Sequence, residues 1–332
     1  MNIKKKINKV SLVYFFIFIS FLIIGLNSFK DYGISIDENF HLTNGEHYYS
    51  FFKGLFSNNT EFITLEELKS SFKEHYFKDP AIFDFSAAIL VDIFNIKDIK
   101  DIYLFRHLLI FLIFLLGCFY FYLILRKRFK SNLIIILGLL FLFFSPRIFA
   151  NSFYNNKDLI FLSVSCVFFY YSIKFFEKSS LRNTVIFAFT TALAFDVRIM
   201  AIIYIFAFYL MLFLHFLDDK NFLNEKFKNS LIAIILTTLF IYLFWPYLWI
   251  DPINNVIDYF SVIKDEIPSM QNLYLGNYIF SKSLPWHYEI IWILFTSPLT
   301  IIIFFLIGYS VLSVKIFNSL MNVDKKNHKF WN

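Results

Sequence analysis

The stretch LLIFLIFLLGCFYFYLIL, which runs from Leu108 to Leu125, decides the fold of this chain. It holds no charged residue and no proline, and a basic cluster, Arg126, Lys127 and Arg128, follows it at once. A helix needs roughly 20 apolar residues to cross the hydrocarbon core of a bilayer. Basic residues directly after such a run are typical of the cytoplasmic end of a membrane span. The stretch therefore predicts a transmembrane helix.

The composition of the whole chain agrees with this. Of its 332 residues, 58% are hydrophobic and 22% are aromatic, and the mean hydropathy is +0.60, whereas a soluble domain is nearer half apolar. In a membrane protein, a net charge of +6 is better explained by basic residues at the cytoplasmic ends of the spans than by binding to nucleic acid. Cys118 and Cys166 both lie in apolar runs, so we expect them to be packing residues and not a disulfide or a metal pair.

Seven further apolar runs lead us to predict an all-α fold, a polytopic membrane helix bundle of about eight spans. The predicted spans are Val10–Ser28, Leu108–Leu125, Leu133–Ala150, Leu159–Phe176, Thr184–Arg198, Ile199–Leu217, Ser230–Ile250 and Ile290–Val314. The third and the fifth end in polar residues, and we expect them to be short or broken helices. Such helices survive at membrane depth where protein or a wet cavity satisfies their backbone.

The Lys and Arg residues orient these spans. With both termini inside, the inside segments hold 18 of the 31 basic residues and only five of the 25 acidic ones, as the positive-inside rule requires. The first span then predicts a retained anchor, because no A-x-A-like cleavage site follows it. We expect one membrane domain, residues 1–332, with long extracytoplasmic segments over residues 29–107 and 251–289. The first segment carries two helix-like stretches, Thr64–His75 and Pro80–Phe94, and the second of these is amphipathic and suits the membrane surface.

Two absences narrow the chemistry. The chain has no G-x-x-x-x-G-K-[ST] and no G-x-G-x-x-G motif, so no phosphate-cradling loop is visible. The inside segments are too short to form a nucleotide-binding domain. We therefore expect no cofactor, and we expect any activated substrate to arrive linked to a lipid.

An acidic pair, Asp37 and Glu38, follows the first span within a few residues. A carboxylate at this position is able to accept a proton from a hydroxyl or an amine that attacks a sugar C1. Exposed acids in loops are usually only solvated, and that alternative stays open. The nearby His41, Glu46, His47 and His75 match no zinc spacing, so we expect no metal site.

A second polar segment connects the third and fourth predicted spans, and its candidate residues are Arg147, Asn155, Asn156, Lys157 and Asp158. A helix N-terminus beside a lysine attracts anions. This favours an interpretation of the segment as the polar floor of a binding site for a phosphate and a sugar. The alternative is structural: the Asn pair caps the fourth helix, and Asp158 suits its positive end.

Two more candidates lie at predicted span ends. Arg198 stands two residues after Asp196 between apolar runs, where ionisable residues are costly and usually functional; the alternative is a pair in which Arg198 only neutralises Asp196. Trp286 and His287 lie in the segment Leu284–Tyr288. Their rings suit an interfacial aromatic belt and equally suit contact with a sugar.

The acidic pair after the first span, the N-x-K-D segment after the third and the L-P-W-x-Y segment before the last together resemble the GT-C superfamily. The resemblance is to the bacterial relatives of protein O-mannosyltransferases and of lipid A aminoarabinose transferases, and it covers nearly the whole chain. It implies a glycosyltransferase of the bacterial inner membrane with its site on the extracytoplasmic face. The donor would be a polyprenyl-phosphate sugar, and the acceptor a glycan, a lipid or a protein.

The same resemblance implies roles for single residues. It makes Asp37 the catalytic base with Glu38 as its neighbour, Asp158 a second acid, and Lys157 and Arg198 ligands of the lipid phosphate. The transfer would invert the sugar configuration.

One departure from the family leaves alternatives open. Members usually have more spans, often with a soluble domain after them, whereas this chain ends shortly after its eighth predicted span. A short member, a product that lacks a C-terminal part and an inactive assembly subunit are all consistent with this. A transporter or flippase of polyprenyl-linked glycans is the main alternative. It should show inverted repeats and midplane polar residues, and the sequence shows neither.

Overall fold

A computed structural model of the chain describes residues 9–56, 80–218, 223–249, 251–265 and 270–321. The chain divides into two compact units, each of which is described by itself. The first comprises Met1–Phe143 and Ile148–Glu266, and the second Phe144–Arg147 and Ile267–Asn332. The predicted helix Thr64–His75 lies outside the described residues. The single membrane domain of residues 1–332 stays a prediction.

The described residues confirm the all-α prediction, with thirteen α-helices and one small hairpin. In the order of the chain, the helices up to residue 265 are α1 (Lys9–Ser28), α2 (Glu38–Gly54), α3 (Ile82–Ile93), α4 (Ile99–Arg128), α5 (Asn132–Phe143), α6 (Pro146–Tyr154), α7 (Asp158–Glu177), α8 (Leu181–Val197), α9 (Ile202–Asp218), α10 (Leu223–Phe244) and α11 (Pro252–Asp265). They are followed by strands β1 (Gln271–Tyr274) and β2 (Asn277–Phe280) and by helices α12 (Tyr288–Thr296) and α13 (Leu299–Met321). Short 3₁₀ turns occupy Ile199–Ala201, Pro246–Trp249 and Ser281–Ser283.

Five described helices, α1, α4, α7, α10 and α13, are long and apolar enough to cross a bilayer. Helices α5 and α6 pass the same test only together and meet at a bend of 56°, so the third predicted span is broken as expected. Helices α8 and α9 have 17 residues each and fall below that length. The described residues thus support a multi-pass membrane protein with five or six long spans.

The last predicted span, Ile290–Val314, differs from the structure. Helix α12 ends at Thr296 and α13 starts at Leu299, so the apolar run is interrupted at Ser297 and Pro298. The residue before a proline is disfavoured in the helical region, which explains the break. A hydropathy pattern does not detect such a break, because it depends on the polarity of the side chains and not on the backbone geometry.

Aromatic rings fill the space between the helices of the first unit. Phe21 of α1 and Phe143 of α5 are both buried, and their rings stack with centroids 3.8 Å apart. Phe111 and Phe114 of α4 are buried in the same cluster, which also includes Phe153 of α6. Buried aromatic contacts of this kind add to the energy of area burial. The start of α7 belongs to the same cluster, so this packing fixes the helix end that carries candidate site residues.

Helix α2 was not predicted from the sequence. Its buried face contains Glu38 and Asn44 as well as Leu42, Tyr48 and Phe51. Polar residues at buried positions interrupt the apolar period of 3.6 on which helix prediction relies. The predicted helix Pro80–Phe94 is confirmed, with observed bounds Ile82–Ile93.

Helices α2 and α3 approach closely at Gly45, and this contact yields a testable prediction. A Cβ atom at Gly45 would overlap the backbone carbonyl of Asp84, which is not able to rotate away as a side chain would. Gly45→Ala should therefore destabilise the protein by about 1–3 kcal/mol, the usual cost of overpacking. The measurement is the melting temperature of the purified variant in detergent.

Gly33→Ala is the matched control for this change. Nothing lies within 4 Å of a Cβ placed at Gly33, so this variant should have the melting temperature of the unchanged protein. Equal melting temperatures for the Gly45 and Gly33 variants would contradict the close packing of α2 on α3.

In the second unit, the segment predicted as a loop contains an antiparallel hairpin. Residues Gln271 and Phe280 are paired in its register, and its turn residues Leu275 and Gly276 both have positive φ, 48° and 84°. Two central residues with positive φ define the type I′ turn that suits the twist of a two-residue hairpin. No strand was predicted here, because two strands of four residues give too short a pattern.

Candidate functional site

A polar cavity of about 440 Å³ lies in the first unit and collects most of the predicted site residues. The turn before α2, the connection between α6 and α7, and the residue after α8 form its walls. The predicted residues that line it are Asp37, Asn155, Asn156, Lys157, Asp158 and Arg198. Three separate segments of the chain thus meet at one site, as the predicted roles require.

Asp37 lies at the N-cap position of α2, with its side chain exposed. Its backbone is helical, at φ −90° and ψ −16°, and its side chain makes no capping hydrogen bond. The carboxylate therefore makes no hydrogen bond to its own helix and remains available to the cavity that it lines.

Glu38 has a different environment from its neighbour. It is 1% exposed and does not line the cavity. Its Oε2 accepts a hydrogen bond from the backbone N–H of Ser35 at 2.6 Å, and its Oε1 lies 2.8 Å from Nε2 of the buried His107. Glu38 thus ties the turn that carries Asp37 to helix α4.

Asn155 precedes the N-cap residue of helix α7, Lys157, and its side chain holds the start of the helix in place. Its Oδ1 accepts hydrogen bonds from the backbone N–H groups of Lys157 at 3.2 Å and of Asp158 at 2.7 Å. An Asn side chain at the start of a helix satisfies donors that the first helical turn leaves free. The same hydrogen bonds place Lys157 and Asp158 on the cavity wall.

Arg198 pairs with Asp158, and the alternative in which it only neutralises Asp196 is wrong. Its Nη2 donates to Oδ1 of Asp158 at 2.5 Å, and the two side chains are 39% and 62% exposed. Asp196 is buried, and its Oδ2 accepts from the backbone N–H of Ile82 at 3.0 Å. Ion pairs as exposed as Arg198–Asp158 contribute about 0.2–1 kcal/mol, so an incoming anion is able to replace the carboxylate at little cost.

A buried network of hydrogen bonds and ion pairs, centred on Asp84, holds two residues of the cavity wall in place. Its Oδ1 accepts from Nη2 of Arg106 at 2.5 Å and from Nδ2 of Asn156 at 2.8 Å, and its Oδ2 lies 3.3 Å from Nδ1 of His41. Burial raises the pKa of Asp84, but Arg106 and His41 outweigh it and hold the pKa below its ordinary value. Asp84 is therefore ionised at neutral pH and orients two residues of the cavity wall, His41 and Asn156.

This network was not predicted, although the sequence contains a signal for it. Arg106 and His107 directly precede the apolar run that starts at Leu108, and both are 1% exposed. Buried ionisable side chains are costly unless they are paired, so two of them at the head of a span predict partners elsewhere. The partners, Asp84 and Glu38, lie 22 and 69 residues away, and no local pattern identifies them.

The other three predicted residues belong to the second unit. Nη1 of Arg147 donates to Oγ1 of Thr296 at 2.9 Å, and Nδ1 of His287 lies 2.6 Å from the hydroxyl of Tyr274. Trp286 is 85% exposed. Contact of these side chains with a substrate stays a prediction.

An apolar cavity of about 410 Å³ lies between α3, α4, α7 and α8. Ile160 and Val197 line it, while Asp158 and Arg198, close neighbours of these two in the chain, line the polar cavity. The two cavities share no lining residue, and both lie near the start of α7 and the end of α8.

The family comparison agrees with the resemblance drawn from the sequence. The profile of the dolichyl-phosphate-mannose-protein mannosyltransferase family matches residues 78–250, just over half of the chain. This range includes Asp84, Lys157, Asp158 and Arg198, whereas Asp37 precedes it. Comparisons with curated proteins and with solved structures gave no match. The chain belongs to the dolichyl-phosphate-mannose-protein mannosyltransferase family, within the GT-C superfamily of membrane glycosyltransferases.

Proposed function

We propose that this membrane glycosyltransferase moves a sugar from a polyprenyl-phosphate donor to a hydroxyl or amine of a glycan, lipid or protein acceptor. The reaction takes place on the extracytoplasmic face of a bacterial inner membrane and inverts the sugar configuration. One observation carries the proposal: a carboxylate, Asp37, shares a polar cavity with two cations, Lys157 and Arg198.

Asp37 acts as the general base in this proposal. Its carboxylate takes the proton of the acceptor hydroxyl or amine while the acceptor oxygen or nitrogen attacks C1 of the sugar. The bond from C1 to the phosphate oxygen breaks, and the polyprenyl phosphate leaves with the electron pair. Attack from the side opposite the phosphate inverts C1. Glu38 is a positioning residue, because its bonds to Ser35 and His107 hold the turn on which Asp37 stands.

Lys157 and Arg198 bind the phosphate and stabilise the charge that develops on it as it leaves. A guanidinium is able to bind two phosphate oxygens at once, whereas an ammonium acts as a point charge. Before the donor binds, Asp158 holds Arg198 in place at 2.5 Å and is held in turn by Asn155. The phosphate then exchanges with the Asp158 carboxylate. Asn156, fixed by Asp84, offers an amide to the sugar hydroxyls.

The apolar cavity takes the start of the isoprenoid chain. It is lined by Ile160 and Val197, which are close in the chain to the two residues that meet the phosphate, Asp158 and Arg198. The isoprenoid chain already lies in the hydrocarbon of the bilayer, so this cavity orients the donor and adds little hydrophobic free energy. Trp286, His287 and Arg147 of the second unit stay proposed as substrate-binding residues.

The experiment that tests this function supplies the purified protein with labelled polyprenyl-phosphate sugars, the mannosyl form first, and a glycan, lipid or peptide acceptor. Consumption of one donor with release of polyprenyl phosphate is the expected result. Movement of a lipid-linked glycan across a vesicle membrane without consumption of the donor would support the transporter instead. A folded protein that does neither would support the inactive subunit.

The proposed orientation predicts how introduced cysteines react. Ile36 is 88% exposed and adjoins Asp37, so Ile36→Cys should react with a membrane-impermeant maleimide in intact cells. Lys130 is exposed and follows α4 on the predicted inner face, and Lys130→Cys should react only after the membrane is opened. The native Cys118 and Cys166 are buried and give little background. The reverse pattern of labelling would overturn the orientation and the mechanism with it.

A further inference from the structure

A second polar cavity, of about 490 Å³, lies at the other end of α7 from Asp158. It is formed by the last turns of α7, by the residues that follow it and by the first turns of α8. Its polar lining consists of Tyr170, Lys174, Glu177, Lys178, Arg182 and Asn183, together with Tyr171. It shares no residue with the candidate site, and the proposed function gives it no role.

The charges of this cavity favour an anion. Three cations, Lys174, Lys178 and Arg182, face one carboxylate, Glu177. That carboxylate is already engaged, because Oε1 of Glu177 accepts from Nζ of Lys127 on α4 at 2.5 Å. Within the described ranges, the structure records no carboxylate at ion-pair distance from Lys178 or Arg182. The lining therefore carries unbalanced positive charge that comes from both helices.

The position of the cavity places that anion at a membrane surface. Helix α7 has 20 residues and a rise of 1.5 Å per residue, so its two ends lie about 30 Å apart, the thickness of a hydrocarbon core. Tyr170 and Tyr171 lie about two turns before the end of α7, so the cavity extends from the basic end of the helix toward its apolar part. Tyr171 and Ile186 also line the apolar cavity, so apolar surface continues directly from the basic one.

We propose that this cavity binds the phosphate headgroup of an anionic membrane phospholipid, with Lys178 and Arg182 as its principal contacts. Basic pockets between transmembrane helices are suited to such headgroups. The shared apolar rim favours a lipid over a soluble phosphate, because acyl chains cover Tyr171 and Ile186 while the phosphate meets the cations. The lipid then bridges α7 and α8 at the ends opposite Asp158 and Arg198.

The test measures bound lipid and not transfer, so its outcome is independent of the proposed glycosyltransferase activity. The purified protein is equilibrated with equal amounts of phosphatidylglycerol and phosphatidylcholine in detergent, and retained lipid is counted by native mass spectrometry. The unchanged protein should retain phosphatidylglycerol in preference. The double variant Lys178→Gln with Arg182→Gln should bind it about tenfold more weakly or worse, since each cation near an anionic headgroup contributes separately.

The control removes the same charge elsewhere. Lys130 and Lys228 are exposed basic residues that do not line the cavity, and Lys130→Gln with Lys228→Gln should retain phosphatidylglycerol normally. Equal loss in both double variants would show attraction by net charge alone and overturn the site. Millimolar glycerol phosphate should not displace the lipid; displacement would assign the cavity to a soluble phosphate and overturn the lipid assignment.

Discussion

Asp37→Asn should abolish sugar transfer and leave the protein folded. The amide has nearly the shape of the carboxylate but is unable to take a proton, and the loss of a general base typically costs on the order of 10²–10⁴ in rate. The side chain is exposed and caps no helix, so its change should cost little stability. The measurements are the turnover of a labelled polyprenyl-phosphate sugar and the melting temperature in the same detergent.

Two further variants show whether the effect belongs to Asp37. Asp31 is an exposed acid in the same connection and does not line the cavity, so Asp31→Asn should transfer at the normal rate. Glu38→Gln weakens the buried contact with His107 and should lower the melting temperature as well as the rate. Full turnover in Asp37→Asn would remove Asp37 as the base and leave Asp158 as the acid to test next.

The sequence predicts those parts of the protein that depend on local pattern. Apolar runs identify long spans such as α4 and α7 because lipid imposes the same composition along the whole helix. The polar segment before α7 is also a local pattern, because the residues that hold the start of a helix are adjacent to that helix in the chain. The presence of Asp37, Lys157 and Asp158 near span ends was therefore predictable.

The support of the site was not predictable in this way. His41, Asp84, Arg106 and Asn156 come from four segments and meet only because helices α2, α3 and α4 and the connection between α6 and α7 pack together. The pairing of Arg198 shows the same limit. Asp196 is the nearest acid in the sequence, but residues two apart at a helix end do not face each other. Asp158 is 40 residues away and lies in contact.

Arg198→Ala should lower kcat/KM for the donor by about 10²–10³-fold, the usual loss when one preorganised donor to a developing negative charge is removed. Lys157→Ala should lower it in the same direction. Stability should hardly change, because the Arg198–Asp158 pair is exposed and such pairs contribute about 0.2–1 kcal/mol. Arg198→Lys should restore only part of the rate, since an ammonium lacks the planar fork that binds two phosphate oxygens.

If these cations have a purely structural role, their removal should lower stability and leave the donor kinetics unchanged. In that case the alanine variants would melt earlier, and the surviving folded protein would show the donor KM and kcat of the unchanged enzyme. Arg128→Ala removes one exposed cation at the far end of α4 and controls for net charge; its donor kinetics should be normal. Normal donor kinetics in both Lys157→Ala and Arg198→Ala would remove the phosphate site from the mechanism, because no interaction with the leaving group would then depend on either cation.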